Sequence, residues 1–150
     1  VEICCIDISE QLICKAQRLV PEAMFFKGTM MDTKFKNESF NIIINVGGIN
    51  ETDVKTSLCE SWRIAKKNSL IIVADENFDA TTYLQKIGCV VLSNMTFMDS
   101  YKYDGSSTRK NKNSVKIIDD FLLEQKDHVK ILKRMLIPGL IYVYSFLKLD

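Results

Sequence analysis

The chain has 150 residues, 47% of them hydrophobic, with 20 Lys+Arg against 19 Asp+Glu and a formal net charge of +1. That length fits one domain and excludes a second full one. The balanced charge excludes a bulk electrostatic nucleic-acid binder, and six Gly and two Pro exclude collagen-like and low-complexity chains. A core of this size needs no metal or disulfide staple.

Val1 to Ile6 is a short apolar run ended by Asp7. It reads as a strand buried on both faces. Ser9 is an N-cap, and Leu12, Ile13, Ala16, Leu19 and Val20 recur at helical spacing until Pro21. Ala23 to Phe26 is a second short strand ended by Gly28, and Thr33 to Ser39 is a polar loop. Phe40 to Val46 is dense in β-branched residues and is the most strand-like run, closed by Gly47 and Gly48. Thr52 or Asp53 caps a helix carrying Val54, Leu58, Trp62 and Ala65. Ser69 to Ala74 is another buried strand, ending at Asp75. Thr81 to Ile87 reads as a helix stopped by Gly88, Cys89 to Phe97 as a strand, and Ser100 to Asn113 as a loop. A single long helix is expected from Val115 to Leu136, with Pro138-Gly139 as its end and a final strand from Leu140 to Leu149. Strands alternating with helices predict an α/β domain with a mostly parallel sheet.

The five cysteines contain no C-x-x-C. They read as buried small hydrophobes in a reducing cytoplasm. His128 is the only histidine, which argues against a Cys/His zinc site, and no metal is expected. The apolar stretch Leu136 to Leu147 is about 12 residues, short of the roughly 20 a membrane helix needs. Trp62 and the group Met24, Met30 and Met31 read as core.

In open parallel sheets, ligands bind outside the carboxyl ends of the strands. The residues to weigh are therefore Asp7-Ile8, Gly28-Thr29-Met30, Asn45-Val46-Gly47-Gly48 and Asp75-Glu76. Asp7 is a short carboxylate at a strand end, suited to a ribose diol or equally to capping the next helix. Gly47-Gly48 allows close backbone approach to a ligand, or is an ordinary tight turn. There is no G-x-G-x-x-G, no phosphate-cradling loop and no G-x-S-x-G. Lys102, Arg109, Lys110, Lys112 and Lys116, with Tyr101 and Tyr103, read first as a solvated stretch. His128 reads as a helix residue rather than a general base.

The order of these pieces resembles a class I S-adenosylmethionine-dependent methyltransferase. The matching stretches are Ile6-Asp7-Ile8-Ser9, Ala16, Pro21-Glu22-Ala23 leading to Phe26-Lys27-Gly28, Phe35 to Ile44, Arg63 to Lys67, and Leu70 to Asp75. The resemblance implies a Rossmann-like fold with a mostly parallel sheet and an antiparallel last strand inserted beside the sixth. It implies S-adenosylmethionine as cofactor. Asp7 would hold the ribose hydroxyls, Ile8 would pack on the adenine, and Met30 would offer backbone and side chain to it. Asn45, Val46 and Gly47 would line the methionine side and the substrate entrance. Thr29 stands where the family usually has an adenine-binding Asp, with Asp32 as a substitute or a loop residue. Lys67-Asn68-Ser69 replaces the usual Pro-Gly-Gly turn, and Asn68 tolerates the left-handed region that turn needs.

The family's first strand and its glycine-rich loop have no counterpart, so the chain is expected to be a fragment with upstream residues missing. Without that strand, the runs at Glu2 to Ile6 and Asn41 to Val46 lose a shared neighbour. Either an upstream strand fills the gap, which we favour, or the two pair directly. The expected activity is methyl transfer to a small-molecule acceptor, with the stretch 98–114 as a substrate lid. Catalytic residues and oligomeric state are left open. A non-catalytic scaffold that binds a partner protein is the alternative. A nucleotide-dependent dehydrogenase is a third, disfavoured by the missing phosphate loop and the absence of Tyr-x-x-x-Lys.

Overall fold

The computed structural model describes residues 1–77, 113–137 and 141–149. Strand β1, Cys4–Asp7, is followed by helix α1, Glu10–Leu19. Ser9 caps α1 by accepting from the Leu12 amide at 3.3 Å, and Glu10 stands in the first turn, where the helix dipole favours a negative charge. Strand β2, Met24–Lys27, lies parallel to β1 and forms a two-stranded sheet with it.

Strand β3, Phe40–Val46, leads through a 3-10 turn at Ile49–Glu51 into helix α2, Val54–Ile64. Asp53 caps α2, its carboxylate accepting from the Thr56 amide at 2.8 Å. The Thr56 side chain first, and then its amide, hold the Asp53 carboxyl below the usual range. Strand β4, Ala65–Glu76, follows α2 without a connecting loop. Asn68 takes φ 59°, the left-handed conformation expected for it. Helix α3, Ser114–Glu124, precedes strands β5, Val129–Ile137, and β6, Ile141–Lys148.

The second sheet has the order β3-β4-β6-β5. Strands β3 and β4 are parallel, and β6 runs antiparallel to both β4 and β5. The fold is thus α/β and Rossmann-like, with its last strand antiparallel and inserted beside the strand before it. No described strand pairing joins β1 to β3, so direct pairing of those two does not occur.

The core lies on one face of the four-stranded sheet. Ile71 and Val73 of β4 and Tyr142, Tyr144 and Phe146 of β6 alternate toward Val54 and Leu58 of α2 and Ile118, Phe121 and Leu122 of α3. Trp62 packs edge-on against Phe121 with centroids 5.9 Å apart. Lys148 lies over the Trp62 ring and donates to the carbonyls of Trp62 and Ala65 at 3.1 and 2.9 Å. Its charge thereby satisfies the free carbonyls at the end of α2. Arg134 of β5 makes a bidentate pair with Asp119 of α3, and the Tyr144 hydroxyl donates to the same carboxylate at 2.9 Å. Burial, then the bond to Asp119, pushes the Tyr144 phenol up.

Several sequence expectations are corrected. The helix expected from Val115 to Leu136 ends at Glu124, and β5 takes over from Val129. Leu132 and Met135 do recur at helical spacing from Ile118 and Phe121. The turn at 125–128 breaks the helix, however, and β5 pairs with β6 along its length. His128 is consequently an exposed turn residue whose carbonyl accepts from the Leu149 amide at 2.8 Å. Ala65 begins β4 instead of continuing α2. Cys4 and Cys5 are half-buried, while Cys14 and Cys59 lie exposed on the outer faces of α1 and α2; all four are free thiols. Strand β1 is half-buried rather than covered on both faces. Met24 and Met31 are exposed, whereas Met30 and Trp62 pack against the core. The stretches Thr81 to Ile87, Cys89 to Phe97 and most of 98–114, with Tyr101 and Tyr103, lie outside the described residues.

Candidate functional site

Each candidate residue sits at or just beyond the carboxyl end of its strand. Asp7 is the last residue of β1, pairs in register with Lys27 and is half-buried. Its Oδ1 accepts from the Ser9 amide at 2.6 Å, so one oxygen does serve the turn into α1. No hydrogen bond to its Oδ2 occurs among the described residues, which leaves that oxygen for a ligand hydroxyl. Ile8, one position further, is 74% exposed.

The carbonyl of Asp7 accepts from the Gly28 amide at 2.9 Å, which brings the ends of β1 and β2 together. A Cβ on Gly28 would stand 2.9 Å from Cδ1 of Ile6, so a side chain here would have to displace that of Ile6. Thr29 then opens a tight turn: its carbonyl accepts from Asp32 at 3.3 Å, and its Oγ1 accepts from the Met31 amide at 3.2 Å. The Asp32 carboxylate pairs with Lys34. Asp32 is thus engaged on the outer side of the turn.

Met30 carries the contact across to the second sheet. Asn45 near the end of β3 donates its Nδ2 to Met30 Sδ at 3.1 Å. The Met30 methyl fills the space where a Cβ on Gly48 would stand, 2.9 Å away. Gly47 has φ +73°, and its amide donates to the Ala74 carbonyl at 2.9 Å. A Cβ placed on Gly47 would meet nothing within 4 Å, so that side of the turn is open. Val46 is 68% exposed. Asp7, Gly28, Thr29, Met30, Asn45 and Gly47 therefore follow one another along a single line of contacts. Ile8 and Val46 project from it.

Two supporting groups lay beyond sequence reasoning. Asn50, buried in the turn after β3, donates its amide nitrogens to Asp75 Oδ2 at 3.0 Å and to the Glu76 carbonyl at 2.8 Å, and accepts from the Tyr142 hydroxyl at 2.9 Å. This network fastens the end of β3 to the ends of its neighbours. Asp75, weighed as a ligand contact, is spent here on the backbone.

The second group is Glu60 with Arg63 on α2. Glu60 accepts from Arg63 at 2.7 Å through both oxygens and from the amide and hydroxyl of Thr33 at 2.8 and 2.6 Å. The Arg63 bonds foremost, then those of Thr33, outweigh burial and bring the Glu60 carboxyl down to about 2. The i,i+3 spacing of Glu60 and Arg63 was visible in the sequence, but Thr33 lies 27 residues away. Of the basic stretch, Lys116 pairs with Asp120 on the exposed side of α3 at 2.5 Å, as a solvated lysine does.

The family described as "Methyltransferase domain" matches residues 1–73. No curated protein matched the sequence. A S-adenosylmethionine-dependent methyltransferase of Thermotoga maritima, a possible histamine N-methyltransferase, superposes with TM-score 0.62 at 22% identity, over 95% of this chain and 72% of that one. A S-adenosylmethionine-dependent methyltransferase of Aquifex aeolicus gives TM-score 0.59 at 12% identity, over 99% and 69%. The cyclase SpnF gives TM-score 0.66 at 8% identity, over 99% and 66%, so this fold also carries other chemistry. The family match over residues 1–73 and the strand order agree: the chain is similar to methyltransferase domains over that stretch and shares the fold of S-adenosylmethionine-dependent methyltransferases.

Proposed function

We propose that this domain holds S-adenosylmethionine, the cofactor of the family it resembles, along the carboxyl edge of its strands and transfers the methyl group to a small-molecule acceptor. The observation that carries this reading is the continuous contact line from Asp7 through Gly28 and Met30 to Asn45. It sets a half-buried carboxylate beside an exposed apolar side chain and a turn with polar backbone, which suits a ribose and an adenine. Asp7 Oδ2 accepts from the ribose hydroxyls, Ile8 covers one adenine face, and Thr29 and Met30 meet its edge. Asn45, Val46 and Gly47 border the methionine end, where the space beside Gly47 is open.

When bound, the cofactor supplies a methyl group already activated on a sulfonium. The chain's own part is to hold and orient, which is catalysis by proximity. A general base is not required for a nucleophile that is already ionised or attacks through a free lone pair, as a neutral amine does, and none is assigned. The near-neutral charge fits a small acceptor better than a polyanion. No described helix is long and apolar enough to cross a membrane. The four free thiols support a reducing, cytoplasmic setting.

We also propose that a strand preceding β1 in the chain lies between β1 and β3 and completes the methionine end. Both strands carry an edge that no described strand pairs, and Ile42, Ile44 and Val46 of β3 are exposed at 58%, 66% and 68%. An apolar strand left open in this way is costly in water.

The alternative is a scaffold that keeps the fold without the reaction. Thr29, a weaker acceptor than the Asp usual in the family, favours it. Calorimetry with S-adenosylhomocysteine on the full-length protein separates the two. Micromolar binding supports the methyltransferase; absence of binding supports the scaffold.

A further inference from the structure

The segment from Gly28 to Ser39 carries Thr29 and Met30 yet contains neither helix nor strand. Two of its residues, Lys34 and Glu38, take φ 62° and 52°. Neither is a glycine, and the left-handed region costs such residues about 1 kcal/mol. Local preference therefore does not set this conformation; something outside the segment imposes it.

The outside hold comes from the last turn and a half of α2. Glu60 Oε1 takes both the amide and the hydroxyl of Thr33, three residues after Met30. Arg63 donates to the Phe35 carbonyl at 2.8 Å and to Asn37 Oδ1 at 2.6 Å, and its own carbonyl accepts from the Glu38 amide at 3.0 Å. Ser39 closes the run on the Ile64 carbonyl at 2.7 Å. Glu60 is nearly buried, its side chain only 9% exposed, so the carboxylate is fixed by bonds on both oxygens rather than solvated.

We propose that Glu60 and Arg63 are positioning residues for the adenine side of the site. Acting through Thr33, they set where Thr29 and Met30 stand. Met30 is pinned at its other end by Asn45 and Gly48, so a shift of the loop changes the adenine wall without unseating the ribose carboxylate of Asp7. The inference rests on the cofactor reading above and deepens it: the selectivity of the site for its base is governed from a helix that does not carry the site residues.

The test measures dissociation constants for S-adenosylhomocysteine and for S-inosylhomocysteine, in which the adenine amino group is replaced by a carbonyl. The full-length protein is compared with its Glu60→Ala, Glu60→Gln and Thr33→Val forms. The unsubstituted protein prefers the adenine compound. E60A lowers that preference about tenfold, the equivalent of roughly one hydrogen bond. E60Q retains an oxygen for Thr33 and recovers part of the preference. T33V, a change of one hydroxyl that leaves the fold intact, moves it in the same direction by less. A preference unchanged in both E60A and T33V, whether or not the two affinities fall together, overturns the inference and leaves the cofactor reading standing. If E60A does not fold, T33V decides alone. Failure of the unsubstituted protein to bind either compound overturns the cofactor reading and this inference with it.

Discussion

The two sheets of the molecule are built to different standards. In the β3-β4-β6-β5 sheet, five side chains of β4 and β6 are sealed under α2 and α3, and Tyr142 and Tyr144 are fully buried. In the β1-β2 unit, α1 buries only Ile13, and Ile3, Met24, Phe26 and Leu19 are exposed. Yet Asp7, Ile8, Thr29 and Met30, four of the seven candidate cofactor residues, come from this thinly packed unit or the turn that follows it. Much of the proposed site therefore lies outside the region that holds the core, and the contact of Met30 with Asn45 and Gly48 links the two.

That division can be broken most sharply in the core. Phe146→Ala, at a side chain 1% exposed, is expected to lose about 3–5 kcal/mol in urea unfolding. A loss under 1 kcal/mol would show that the larger sheet does not carry the stability. The complementary change is Asp7→Ala, expected to weaken S-adenosylhomocysteine binding by about 10- to 100-fold, as for a lost charge-assisted bond, with a small effect on unfolding. Next comes Gly48→Ala. Its Cβ would displace the Met30 methyl, and binding is expected to weaken by a few-fold while the fold persists. At the low end, Leu19→Ala at an 81% exposed position should stay within about 0.5 kcal/mol.

The pH dependence sharpens the same comparison. Glu60 has its carboxyl lowered from 4.5 to about 2 in the folded protein. Its contribution is therefore present above pH 4.5 and is lost as pH falls toward 2, because the unfolded chain takes up the proton first. Relative to E60Q, the unsubstituted protein is expected to lose stability across that window in denaturant titrations. Parallel curves would show that the clasp does not hold a charged Glu60.

Much of this architecture was legible in the residues, for local reasons. Asp7, Ser9, Pro21 and Asp53 punctuate the chain with side chains whose roles are set within a few positions, and β3 was read with its observed bounds. Asn68 likewise announced a backbone need that the fold meets. The error from Gln125 to Leu136 has a physical source. Val129, Leu132 and Met135 fit a helical stripe, but pairing with β6 satisfies their backbone and outweighs that periodicity. The Glu60–Thr33 and Asn50–Tyr142 bonds were illegible because their partners lie 27 and 92 residues apart, joined only by tertiary structure. The site positions could be named from strand ends, but what holds them in place could not.

The central claim is that the line from Asp7 to Asn45 is a cofactor site that begins on the weaker sheet and ends on β3 of the larger one. Calorimetry with S-adenosylhomocysteine on the full-length protein and its Asp7→Asn form tests it most directly. The account predicts micromolar binding that falls at least tenfold in the variant with an unchanged unfolding midpoint. Equal affinity in the two proteins would contradict it.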